Sequence, residues 1–365
     1  MQPKIRQFST SDADIQPSRR LVSIVLPVFN EASILNEHLS VLQEYLSSHA
    51  DRYRWEIVIV NDGSTDASGR LAEDYARRKS NVKVLHHSRN YGLGQAMKYG
   101  ISATTGDYIV TLDIDLSYSP DHILEILEAL EEDKAKLVLA SPYMRGGRIS
   151  NVPWLRKMLS VAANKFLFIV AHGDLSTLTC MVRGYDGPYI RSLVLRSVGM
   201  EIMPEAVYKS MIMRANISQI PAHLDWGPQM TKPARRSNIR IVRQVFSTIL
   251  SGFVFRPFMF FLVPGLILLM FALWVNFWTV FHFVDALSLV PPDADTDAIS
   301  WAIAAAYQAH PHTFIVGLLS LMLSVQLISL GILALQSKSY FEELFFLGAS
   351  LGRKMADDKD HEHPE

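Results

Sequence analysis

The sequence predicts an α/β domain with a mostly parallel sheet covered by helices on both faces, followed by two C-terminal transmembrane helices. Three observations carry this reading. Short apolar, β-branched runs alternate with helical patterns between Val22 and Ala140. Each run stops at a polar turn, as buried parallel strands do. No Lys or Arg occurs from Pro257 to Ser337, a stretch holding two long apolar runs.

The strands come first. Val22 to Val28 is an apolar run ended by Pro27 and turn residues, and Trp55 to Val60 is a second that stops at Asn61-Asp62-Gly63-Ser64. Val82 to Leu85, Asp107 to Leu112 and Leu137 to Ala140 supply three more. Between them lie helical patterns over Ile34 to Ser47, Ala67 to Lys79, Gly94 to Ala103 and Pro120 to Glu132. In open sheets of this kind ligands bind beyond the carboxyl ends of the strands. Asn30-Glu31, Asn61-Asp62 and Asp113/Asp115 all stand at such ends and should share one cleft.

Asp113-Ile114-Asp115 follows a buried strand directly. Two carboxylates two residues apart can face a hard cation, and Mg²⁺ or Mn²⁺ takes one or two carboxylates together with substrate phosphates and water. Asp62, at a strand tip, reads as an acceptor for a ribose or base. Gly63 permits a tight turn, and Ser64, Thr65 or Asp66 could cap the helix that follows. Arg89 to Ala96 carries glycines and opens a helix, a place that favours anions. Met97 stands where the third glycine of a dinucleotide-binding loop would fall, and the chain has no P-loop, which removes dehydrogenases and kinases.

The membrane part follows. Pro257 to Phe281 and Thr313 to Gln336 each reach roughly 36 Å as helices. A bilayer core is ~30 Å thick, so each can span. Basic residues flank the pair (Arg235, Arg236, Arg240, Arg243 and Arg256 before; Lys338, Arg353 and Lys354 after), whereas the loop from His282 to His312 carries acidic residues alone. The positive-inside bias then places both termini and the catalytic domain in the cytosol. Ile239 to Phe253 and Val152 to Val170 are basic and amphipathic, suited to a headgroup layer or to packing on their own core. The expected divisions are a flexible tail over 1–20, a catalytic domain over 21–235, a juxtamembrane helix over 236–256, a two-helix hairpin over 257–337 and a cytosolic tail over 338–365.

Composition narrows the partners. The net charge of −1 gives no bulk attraction to nucleic acid. The single cysteine, Cys180, excludes an intrachain disulfide. Met1 to Arg20 is polar and lacks the apolar core of a signal peptide. A homo-oligomer is compatible with the sequence and is not specified by it.

These residues together resemble glycosyltransferase family 2, in particular its polyprenyl-phosphate glycosyltransferases. The similarity runs from Val22 to about Pro221. It rests on Pro27-Val28-Phe29-Asn30-Glu31, Asn61 to Asp66, Arg89-Asn90-Tyr91-Gly92, Asp113 to Asp115 with Pro120, Tyr143 with Gly146-Gly147, and Arg156, Ser160 and Asn164. The resemblance implies a GT-A type domain, a divalent metal (Mg²⁺ or Mn²⁺), a nucleotide-sugar donor linked to UDP or GDP, and a polyprenyl-phosphate acceptor in the membrane. It assigns Pro27, Phe29, Glu31, Asp62, Asn90, Gly92 and Asp113 to donor binding. Asp115, Asp113 and Ser117 fall at the metal, with Asp113, Asp115 and Arg156 in the reaction itself. Arg145, Arg148, Arg156, Ser160 and Arg183 are assigned to the acceptor phosphate. The chain departs from the family pattern with Asn61 for an aspartate, Ser117 for a glutamine and Pro142 for an arginine.

Three rivals stand beside this reading. A processive polysaccharide synthase would carry Q-x-x-R-W and more spans, and neither is found. A glycolipid synthase with a hydroxyl acceptor would need a carboxylate base. A scaffold that binds nucleotide without turnover is motivated by the three departures.

Overall fold

In the computed structural model the described residues are 19–152, 158, 175–227, 258–292 and 296–362, with side chains up to 351. Arg156, Ser160, the tail before Arg19 and both basic amphipathic stretches beyond Val152 lie outside them, Met158 excepted. The chain divides into two compact units, a sheet domain and a helical C-terminal unit.

The sheet domain opens with β1 (Leu21–Val28), α1 (Leu35–Ser48), β2 (Arg54–Asn61), α2 (Ser68–Ala76) and β3 (Val82–His86). Next come α3 (Leu93–Ser102), β4 (Tyr108–Thr111), α4 (His122–Glu132), β5 (Leu137–Ser141) and β6 (Arg148–Ser150). It closes with β7 (Arg183–Asp186), α5 (Gly187–Ser192), α6 (Ile202–Ile212), β8 (Ile217–Pro221) and β9 (His223–Asp225). Seven strands form one sheet in the order β3-β2-β1-β4-β7-β5-β8, while β6 and β9 pair separately. All neighbours in the large sheet are parallel except β7, which runs antiparallel to both β4 and β5.

The helices cover both faces. Leu35, Leu39, Leu42 and Leu46 recur at helical spacing along α1 and are fully buried in one cluster with Val22, Ile24, Leu26 and Val28 of β1. Burial of each such side chain contributes about 2 kcal/mol. Ile123, Ile126 and Leu127 of α4 join the same cluster. On the opposite face α3 presses close, because a Cβ on Gly100 would lie 2.6 Å from Val25 Cγ1.

Register sets the cleft. Val28 of β1 pairs with Asn61 of β2, so these two strands end level. Thr111 of β4 pairs with Val25, and the chain continues past that pair to Asp113 beside the tip of β1. The short β6–β9 sheet is tied to the same end: Asp225 N–H donates to Ser117 O at 2.8 Å, and Tyr118 bridges to Leu224.

The C-terminal unit holds α7 (Met259–Ser288), α8 (Ala298–Ala309) and α9 (Pro311–Glu362). Among the described residues two helices are long and apolar enough to cross a membrane, Met259–Ser288 and the Pro311–Leu351 part of α9. Pro264 sits inside the first, which membrane helices tolerate. The loop expected between the spans contains α8, whose Asp297 side chain accepts from Ser300 N at 3.0 Å and caps it. The residues expected as a tail from 338 continue α9 without a break to Glu362.

Candidate functional site

The site is built from three strand ends. Just past the end of β4, Ile114 is buried at 4% exposure, whereas Asp113 and Asp115 on either side of it keep partial access to solvent. His38 of α1 fixes this segment through a 2.8 Å bond between its Nδ1 and Ile114 O. Leu116 then takes a left-handed φ of 50°, and Ser117 N–H donates to Asp115 Oδ1 at 3.0 Å. A branched residue at such a φ is strained, and strain of this kind gathers at functional turns.

Asn30, after β1, is the second left-handed residue, with φ 56°. Its Oδ1 accepts from Thr65 N at 2.8 Å and so stitches the β1 turn to the β2 turn. Ser68 Oγ accepts from Glu31 N at 2.8 Å, and Asp66 Oδ2 accepts from Ala32 N at 3.1 Å. Asp66 Oδ1 also takes the Ser68 N–H at 2.9 Å just before α2, although the N-cap position itself is Ala67 and not one of the residues the sequence offered.

The charge pattern follows from this arrangement. Burial pushes the Asp113 carboxyl up to about 7, and the negative charges of Asp115 and Glu31 push the same way. The side chain nevertheless keeps partial access to solvent. A carboxyl whose ionisation is opposed by burial and by two neighbouring carboxylates, beside an accessible opening, suits a divalent cation. Among the described residues no three His, Cys, Asp or Glu side chains converge to hold a metal unaided. The site therefore fits an ion that completes its shell with water and a bound phosphate. The Ser117 backbone shapes this turn from both sides, through its N–H to Asp115 and its carbonyl to Asp225.

Asp62 behaves differently from the sequence reading. It is 4% exposed and its carboxylate is already occupied. His87 Nδ1 bonds Oδ1 at 2.7 Å, Tyr91 N–H donates to Oδ1 at 3.0 Å, and Gly92 N–H donates to Oδ2 at 2.9 Å. Its structural duty is to hold the loop carrying Asn90 and Gly92 against β2. Gly63 lets that loop close in, since a Cβ there would meet the Arg89 carbonyl carbon at 2.1 Å. His87 stacks on Tyr99 with ring centroids 5.3 Å apart and meets Tyr91 edge-on at 5.2 Å. The sequence analysis overlooked His87. The strand-end rule that selected Asp62 applies equally to β3, which ends at His86.

Arg183 is corrected outright. It is fully buried, and its guanidinium donates to Cys180 O at 2.7 Å, Met203 O at 2.6 Å and Leu178 O at 2.6 Å. It staples three backbone carbonyls and does not face a phosphate. Arg145 and Arg148 are exposed, and Arg148 lies on the β6–β9 sheet that is docked to the Asp115 turn. Phe29 is 37% exposed at the tip of β1, and Pro27 is partly exposed beside it. Gly92 adopts φ 96° at the start of α3.

The class of this domain now has independent support. Residues 23–187 match the model of glycosyl transferase family 2. Two curated relatives are both polyprenyl-phosphate glycosyltransferases by name. A dolichol-phosphate mannosyltransferase of Pyrococcus furiosus is 32% identical over 39% of this chain and 39% of its own length. An undecaprenyl-phosphate 4-deoxy-4-formamido-L-arabinose transferase of Edwardsiella ictaluri is 32% identical over 48% of this chain and 52% of its own. The match thus spans about half or less of these relatives. A glucosyl-3-phosphoglycerate synthase of Mycobacterium tuberculosis, solved with Mn²⁺, UDP and phosphoglyceric acid, aligns with 64% of this chain and 78% of its own at 19% identity and TM-score 0.46.

Proposed function

We propose that the protein transfers a sugar, with inversion, from a nucleotide-sugar donor to a polyprenyl phosphate at the cytosolic face of a membrane. One observation carries the reading: the region that matches glycosyl transferase family 2 has Asp113 and Asp115 just past the tip of β4, with Glu31 close enough to oppose ionisation of Asp113. The two membrane-length helices and the names of the curated relatives point to a lipid acceptor.

Asp115 and Asp113 would hold the divalent ion, and when bound it supplies Lewis-acid stabilisation of the departing nucleoside diphosphate. The loop held by Asp62 orients the donor, with Phe29 and Pro27 as its apolar wall. Arg145, Arg148 and Arg156 clamp phosphate oxygens. An acceptor phosphate is already anionic near neutral pH, so it needs placement more than deprotonation. Attack by its oxygen on the anomeric carbon forms the new C–O bond as the bond to the diphosphate breaks, which inverts that centre.

The test is a panel of UDP- and GDP-sugars with Mg²⁺ or Mn²⁺, offered a polyprenyl phosphate or a diacylglycerol and scored by the mass of the lipid product. Transfer to the phosphate alone is expected. Transfer only to the hydroxyl lipid would overturn the acceptor. Asp115→Ala should abolish transfer while the thermal melt stays within a few degrees of wild type, and near-normal turnover would sink the metal assignment. The orientation rests on the basic flanks. In intact cells a Thr296→Cys variant should react with an impermeant maleimide added outside, and protection there would reverse the topology.

A further inference from the structure

The Pro311–Leu351 part of α9 is too long to be consumed by one bilayer crossing. Its 41 residues extend about 61 Å at the rise of an α-helix, against ~30 Å of hydrocarbon. The uncharged stretch ends at Ser337, and Lys338, Glu342 and Glu343 follow. The helix continues through them with no proline and no break to Glu362. Its axis therefore leaves the membrane, and the residues after Ser337 cannot lie flat in the headgroup layer.

This projecting segment is not polar. Tyr340, Leu344, Leu347 and Leu351 are each 49–70% exposed, and Leu330 and Leu333 extend their line back into the uncharged stretch. With Ser337 between them they fall at alternating steps of three and four residues across three heptads, the a and d positions of a coiled coil. The stripe is separate from the face α9 turns to α7, which uses Gly317 against Asn276 and Gly331 against Leu262. The Lys338–Glu342 ion pair, 3.5 Å long, lies on the side away from the stripe. Beyond Ser337 the apolar part of this seam, from Tyr340 to Leu351, faces water and is a docking surface.

We propose that the partner is a second copy of this chain, joined through α9 as a parallel two-helix coiled coil that begins at the membrane and extends from it. The membrane itself favours this occupant. Two copies inserted the same way present parallel helices at equal depth, so every stripe residue meets its own counterpart, as a twofold interface requires. The flanking charges permit it. In that register Gln336 faces Phe341 and Glu343 faces Gly348, so no like charges meet across the seam.

Disulfide trapping of the full-length protein in nanodiscs tests this directly. Wild type is the blank, because its single cysteine, Cys180, is buried. Leu344→Cys and Leu347→Cys should each give a covalent dimer on mild oxidation, and Glu342→Cys, one face away, should give at least tenfold less. Single-particle mass measurement should find wild type dimeric and a Leu344→Asp/Leu347→Asp double variant monomeric. A monomeric wild type, with the stripe covered by lipid or by its own sheet domain, overturns the proposal. Equal trapping at Leu344→Cys and Glu342→Cys overturns it as well.

Discussion

Arg183 and Asp113 illustrate how environment decides the role of a charged side chain. Sequence position beside a matching motif placed Arg183 on a phosphate, but its three donors end on the carbonyls of Cys180, Leu178 and Met203. Leu178 and Cys180 lie in one loop and Met203 in α6, a convergence that the sequence does not reveal. The placement of Asp113 was legible, because the buried strand β4 ends two residues before it. What could not be read was how strongly burial, Asp115 and Glu31 oppose its ionisation. Arg183→Met should strand three buried acceptors and destabilise the fold by about 3 kcal/mol or more. Arg183→Lys should recover only part of that, since an ammonium cannot reproduce the guanidinium fork. Thermal melts of the two variants decide it. An unchanged melt with a raised acceptor KM would return Arg183 to the phosphate.

The elements were recovered where hydrophobic periodicity is strong. The five parallel strands and four helices of the first 141 residues appear within a few residues of their expected bounds. The antiparallel β7 was missed because Arg-Gly-Tyr-Asp is too short and polar to register as a strand. β8, with a Ser and a Gln in its five residues, is a weak signal at the sheet's edge. The turns between elements carry the site, and their geometry depends on glycines more than on charge. Gly63 has φ 67° and sits against the Arg89 backbone. Gly63→Ala must shift a backbone segment as well as strain its own φ, and should cost at least about 2 kcal/mol. Because Asp62 anchors the same loop, donor KM should rise in parallel with the loss of stability. A fall in stability with donor KM unchanged would separate that loop from the donor.

At the scale of the molecule, composition marked the two membrane-length helices well and their ends poorly. Apolar runs end where the bilayer does, whereas a helix ends only at a breaker or a cap. α9 meets neither after Gln336 and runs on to Glu362. Packing between the two membrane-length helices follows the rule for apolar surroundings, where close approach and buried hydrogen bonds replace the hydrophobic drive. Gly265 faces Leu327 and Ile328, and Gly331 faces Leu262, with room for no more than a tight Cβ. Asn276 supplies the polar contact: its Nδ2 donates to Ala272 O at 2.8 Å within α7 and to Gly317 O at 3.0 Å across to α9. Asn276→Leu removes that crossing bond and pushes a branched side chain at a glycine. The loss should be about 1 kcal/mol, the range measured for single hydrogen bonds between membrane helices. Gly317→Leu should exceed it, because a Cβ there already lies 3.0 Å from Asn276 Oδ1. Both read out as lowered melting temperatures in one detergent. If Asn276→Leu melts with wild type, the hairpin is held by glycine packing alone and the asparagine contributes no net stability.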